Sequence, residues 1–153
     1  MTEQLKLIRL RLEHLSRMYE YLKYSLSQVE PVLLLNDWAS LSPDQHESLA
    51  AFRVRFSEFQ EHLGKTMRSI AIEDEQDVDR FGAVLVFMER LKIIDSADHW
   101  KLILELRNAV NHEYEDDGAR LAELFELMVS ETPTLAGYFM RLQAHCASAY
   151  PLL

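Results

Sequence analysis

Leu5, Ile8, Leu12, Leu15, Tyr19, Leu22, Leu26 and Val29 follow one another at alternating steps of three and four residues. That spacing predicts a long helix over about residues 3–30, with an a/d stripe of the kind that packs in bundles and coiled coils. Pro31 lacks an amide hydrogen and is expected to end it. The apolar stretch Val32–Trp38 then reads as a loop tucked back on the core. Ser42-Pro43-Asp44-Gln45 supplies an N-cap, a proline at the first helical position and a glutamine at the third, which is a capping-box start. The second helix carries Leu49, Phe52, Phe56, Phe59 and Leu63 on one stripe and continues to Ile70. Beyond an acidic loop, Phe81, Val84, Leu85, Met88 and Leu91 mark a shorter third helix. Asp95 or Ser96 caps a fourth, with Trp100, Ile103, Leu104 and Val110 at helical spacing and an end near Asp116-Asp117-Gly118. A fifth begins around Ala119, and Thr132-Pro133 either kinks it or starts a sixth that runs to about Ala149.

Only four glycines and four prolines occur in 153 residues, and no stretch alternates as a strand does. The expectation is a single all-α domain over residues 1–153, an up-and-down bundle of five to six helices. No apolar run reaches the 18 or so residues of a membrane span, and the N-terminus lacks the pattern of a signal peptide. The one cysteine, Cys146, leaves no intrachain disulfide and fits a reducing cytoplasm, the expected location. Charge is unevenly spread. Residues 1–70 hold nine Lys/Arg against nine Asp/Glu, while residues 71–153 hold seven against sixteen and carry the whole net charge of −9. Binding to nucleic acid draws on Lys and Arg that neutralise phosphates, so a general nucleic-acid surface is disfavoured. A local positive cleft would need Arg107 from two subunits together with basic residues of the first half such as Arg53 and Arg55.

The densest chemistry lies in Arg107-Asn108-Ala109-Val110-Asn111-His112-Glu113-Tyr114, which reads R-N-x-x-x-H-x-Y. A guanidinium is permanently charged and offers a planar fork of donors to phosphate, and an imidazole exchanges protons near neutral pH. On an ideal helix Asn108 and His112 share a face, whereas Arg107 and His112 diverge by about 140°. One isolated helix therefore makes a poor active site, and convergence requires a groove or a dimer seam. A bland alternative exists: such residues near a helix C-terminus also satisfy carbonyls and complement the helix dipole.

This stretch resembles the R-x4-6-H signature of the HEPN superfamily, and Tyr114 resembles the added tyrosine of the R-x4-H-x-Y form found in HepT-like toxins. The resemblance covers residues 96–114, with only helix order and length agreeing elsewhere. It implies a homodimeric HEPN-like bundle and a metal-independent ribonuclease toxin acting on tRNA or mRNA, with Arg107, Asn108 and His112 as the catalytic residues. It further implies that Tyr114 accepts AMP from a nucleotidyltransferase antitoxin of the MntA type. Two other readings stay open, a non-catalytic subunit that binds a nucleotidyltransferase and a plain helical oligomerisation module built on the stripe of residues 5–29.

Other candidates are weaker. His14, His46, His62, His99 and His145 are scattered without the spacing of metal ligands, and the di-iron pattern of helical bundles is absent from the sequence. Asp116-Asp117-Gly118 lacks the spaced oxygens and closing glutamate of a calcium loop. No phosphate-binding glycine loop or nucleophile elbow occurs. Neither a cofactor nor a bound metal is expected.

Overall fold

The computed structural model describes residues 1–33, 38–113 and 118–153. These form five α-helices and one short 3-10 turn: α1 (Glu3–Leu33), the turn Trp38–Ser40, α2 (Pro43–Glu73), α3 (Phe81–Arg90), α4 (Ala97–Glu113) and α5 (Gly118–Ala149). The all-α bundle expected from the periodicity is the observed architecture. No helix of the described residues is long and apolar enough to cross a membrane.

Interhelix bonds give the directions. Thr2 at the head of α1 donates its hydroxyl to Glu73 at the foot of α2 (2.9 Å), and farther along α1 the Tyr19 ring lies 5.8 Å from that of Phe59. These two helices are therefore antiparallel. Tyr19 also meets Phe139 of α5 at 6.0 Å, and Arg9 donates to the carbonyls of Leu152 (3.0 Å) and Leu153 (3.3 Å), so α5 runs against α1. His99 near the head of α4 lies 2.8 Å from Glu131, well along α5. The core thus reads up, down, up, down through α1, α2, α4 and α5, with the ten-residue α3 as a short brace between the second and third of these.

The stripes work as their spacing predicts. Leu5, Ile8, Leu15, Leu22 and Val29 are buried, and Leu12, Tyr19 and Leu26 pack against the same core. On α2, Leu49, Phe52, Phe56, Phe59, Leu63 and Ile70 are buried and meet Leu135, Phe139 and Leu142 of α5 in one continuous cluster. Burying a side chain of this size contributes about 1.5–3 kcal/mol, which is why so regular a stripe decides the fold.

Helix ends show where local rules held and where packing overrode them. The capping box of α2 is complete: the Gln45 amide donates to the Ser42 hydroxyl oxygen (3.2 Å), and the Ser42 amide donates to the Gln45 side chain (2.8 Å). Ser96, rather than Asp95, caps α4, accepting from the His99 amide at 3.0 Å. Both α2 and α3 end in Schellman motifs. Gln76 donates to the Ala71 carbonyl and Glu75 to that of Ile72, and after α3 Ile93 donates to Met88 and Lys92 to Glu89. The left-handed residue in each is not glycine but Glu75 (φ 58°) or Lys92 (φ 61°).

Two prolines lie inside helices. Pro31 does not end α1, which continues to Leu33 and buries Val32. Of the two alternatives at Pro133, no sixth helix starts there, because α5 runs through it from Gly118 to Ala149. An interior proline costs about 3 kcal/mol. Here buried residues flank it on both sides, Leu124, Phe125 and Met128 before and Leu135, Tyr138 and Phe139 after. Breaking the helix would forfeit one of those sets. The expected loop over residues 32–38 is helical at Val32 and Leu33 and a 3-10 turn from Trp38, and residues 34–37 lie outside the described residues.

Candidate functional site

Helix α4 presents different residues to three surroundings. Trp100, Ile103 and Val110 point into the core. Arg107, seven residues after Trp100 and three before Val110, falls on the same stripe and is half-buried there. A cation in a core slot is the kind of placement that needs a reason, since isolated apolar exposure is common but a buried charge is not. Lys101, Glu105, Asn108 and His112 occupy the opposite, exposed face. Asn108 and His112 therefore share a face as their spacing requires, and Arg107 leans towards α2, away from His112.

The register of α2 against α4 explains what Arg107 faces. Gly64 lies against Trp100: a methyl group there would stand 3.4 Å from the indole and 3.3 Å from the Phe81 ring. Eleven residues earlier on α2 and eleven later on α4, Arg53 donates to the Asn111 side-chain oxygen at 3.0 Å. The helices are antiparallel, and Arg107 sits between these two contacts. Its terminal nitrogen reaches Asn108 Oδ1 at only 3.5 Å, the outer limit of a hydrogen bond. Its Nε is buried with no hydrogen-bond partner. One heptad beyond Arg53 on α2, Gln60 is 1% exposed, and neither of its amide atoms has a partner. Unmet buried polar groups cost about 1–3 kcal/mol each, so this seam sacrifices stability.

Of the two first-half cations proposed for a positive cleft, Arg53 does reach the motif, through Asn111. Arg55 does not. It pairs with Glu58 at 3.3 Å and lies over the Tyr21 ring at 4.9 Å. Lys65 and Arg68, just past Gly64 on α2, line a cavity with Arg107 instead. Sequence reasoning passed over them because neither lies on the apolar stripe nor near the motif in the chain. Asn111 was within the quoted motif but had no assigned role.

A second feature flanks α4. Leu102 (59% exposed) and Leu127 of α5 (51% exposed) border an apolar groove of about 360 Å³ that continues past Leu106 to Ala109. It opens beside the face carrying Asn108 and His112. Tyr114, the expected AMP acceptor, lies outside the described residues, as does the expected end of the fourth helix near Asp116-Asp117.

The remaining titratable groups form structural clusters. Tyr138 is pushed up to about 12, chiefly by burial and then by the charge of Asp95. The Cys146 thiol also rises to about 12, from burial and then from Asp74. Tyr150 rises as well, by burial and by its hydrogen bond to Asp74 (2.8 Å), while burial lowers His62. Among the described residues no three His, Cys, Asp or Glu side chains gather as metal ligands would. Arg107 and Asn108 are brought into contact, and His112 stands on the other flank of the same helix. No protein-family model, no curated protein and no solved structure matches this chain.

Proposed function

We propose that the protein is a metal-independent endoribonuclease toxin whose working site is completed by a second copy of the chain. Arg107 holds the scissile phosphate, His112 moves the proton, and Asn108 orients the phosphate or the ring. The observation that carries this proposal is the placement of Arg107, a guanidinium set in a core slot with a buried, unpartnered Nε. Its donors face a seam already furnished with Arg53 and Asn111. Preorganised donors of this kind stabilise the charge that builds on a phosphorane.

Cleavage at the 2′-OH needs a base for that hydroxyl and an acid for the departing 5′-oxygen. One imidazole on an exposed face cannot serve both at once. Two-fold pairing of α4 helices would set a second His112 across the groove, and the exposed Leu102 and Leu127 supply apolar surface for such pairing. Arg107 leans towards α2, and it would meet the phosphate by swinging its terminal nitrogens past Asn108, which one of them already approaches at 3.5 Å. A nucleotidyltransferase that transfers AMP to Tyr114 would then silence the site by adding negative charge beside it.

Incubation of the purified protein with RNA should yield fragments ending in a 2′,3′-cyclic phosphate. His112→Ala and Arg107→Ala should each remove that activity and any growth arrest on induction. A fully active His112→Ala protein would overturn the proposal. The acidic second half together with the exposed Leu102–Leu127 groove favours one alternative, a non-catalytic subunit docked on a nucleotidyltransferase. Harmless accumulation on induction, with a stable complex formed with that enzyme and no gain of AMP mass, would select it.

A further inference from the structure

Among the described residues, α3 packs on α2 and α4 and on no other helix. Val84, Leu85 and Met88 are its buried side chains, and Phe81 lies beside Gly64 and Trp100. The other side of the helix is apolar too, since residues 81–88 include no polar side chain. Gly82 is exposed, Val86 is 50% exposed, and Ala83 and Phe87 are half-buried. At about 100° per residue these four share one face, with Gly82 and Val86 along one edge and Ala83 and Phe87 along the other. A surface helix ordinarily turns polar groups that way.

The charges at the two ends of α3 differ in sign. Asp77 and Asp79 precede it, Arg90 closes it and Lys92 follows, all four exposed. Among the described residues none of the four has an ion-pair partner. Arg90 lies over the Phe87 ring at 5.6 Å, so its cation adjoins the apolar face. Acid before a helix and base at its end complement the helix dipole, which accounts for each sign taken alone. It does not account for the bare apolar face between them.

A second copy of the same helix, laid antiparallel, fits this face in both charge and shape. A two-fold axis midway between Val84 and Leu85 brings Asp79 of one chain opposite Arg90 of the other, because the two lie equally far from that midpoint. The same axis sets small against large, with Gly82 facing Val86 of the second copy and Ala83 facing its Phe87. A methyl group at Gly82 would meet nothing within 4 Å, so the space there is open to a side chain from outside. Two-fold interfaces are self-complementary in this sense, and ridges set into grooves are how helices pack.

We infer that the exposed face of α3 is a self-association surface, on which a second copy of this chain docks its own α3 antiparallel, with an Asp79–Arg90 pair at each end. The surface is separate from the α4 face invoked for the nuclease and does not rest on it. A helix that rises about 15 Å offers less than the ~1,200 Å² of stable interfaces. Association through it is therefore weak and concentration-dependent.

The test is sedimentation equilibrium of the full chain from micromolar to millimolar concentration, in a Leu102→Glu background that disables α4 pairing. A reversible monomer–dimer equilibrium is expected. Val86→Glu should weaken it by about tenfold or more. Gly82→Gln fills the open position without a clash in the free chain, so it should weaken association while Tm holds or rises. Asp79→Arg and Arg90→Glu should each weaken it by setting like charges together at both ends, and the double variant should recover it. A monomer throughout, association indifferent to Val86→Glu, or a double variant no better than the single ones would overturn the inference. Dimers of the native chain that vanish with Leu102→Glu keep the α4 pairing and defeat this one. Sedimentation with phosphatidylserine vesicles in place of self-association would assign the face to a lipid surface and overturn it as well.

Discussion

The α1–α2 seam and the α2–α4 seam share one helix and follow opposite rules. Along the first, leucines and phenylalanines interlock, and the few polar groups in its middle are matched. Ser69 accepts from Arg11 (3.2 Å) and donates to the Lys65 carbonyl (3.2 Å), and Thr66 donates to the His62 carbonyl (2.8 Å). Along the second, Gln60 and the Arg107 Nε are buried without partners, and a glycine sits where alanine would favour the helix. Folding is secured by the first seam. The second gives up stability that the first can spare.

Adjacent residues on α2 provide the sharpest contrast. Phe59 stands 5.8 Å from Tyr19 and 5.6 Å from Phe139, so Phe59→Ala should lose about 3–5 kcal/mol in chemical denaturation. Gln60→Leu should have the opposite sign. Removing a buried, unpaired amide should gain about 1–3 kcal/mol, and a clear loss there would show that the seam is not strained as described. At the head of α5, Gly118 allows Trp38 to approach so closely that an added methyl would meet its ring at 2.8 Å. Gly118→Ala should therefore cost about 1–3 kcal/mol, read as a fall in Tm with loss of the native Trp38 fluorescence.

Alkali should act through α5, which carries both Tyr138 and Cys146. Tyr138 and Cys146 both have folded values near 12, above ordinary values of 10 and 9. The fold therefore favours their neutral forms. Its stability should be full below about pH 9 and fall as pH climbs towards 12, because the unfolded chain releases those protons first. Denaturation midpoints measured across that window should decline, and Tyr138→Phe with Cys146→Ala should flatten the decline. The smallest effect belongs to the helix ends. Lys92→Gly, at a left-handed position (φ 61°), should raise stability by about 1 kcal/mol or less.

Much of this was legible in the chain. The a/d stripe from Leu5 to Val29 and the Ser42–Gln45 box depend on near neighbours, and near neighbours are what periodicity and capping rules describe. Pro31 misled, and Pro133 left two alternatives open, because a local penalty was outweighed by burial that only the assembled bundle provides. The site was readable in part. The Arg107 slot follows from its spacing to Trp100 and Val110. The register that pairs Gly64 with Trp100 and Arg53 with Asn111 does not, since nothing in either helix alone sets how far one slides along the other. For the same reason Lys65, Arg68 and Gln60 came into view only with the fold.

The clasp joining Thr2 to Glu73, Arg9 to the carbonyls of Leu152 and Leu153, and Tyr150 to Asp74 brings both chain ends to one pole. From Glu73 back to Arg53 is twenty residues of α2, about 30 Å at helical rise. A tether, label or fused neighbour attached at either terminus would thus hang from the base of the molecule, leaving the far tip free to meet whatever approaches it.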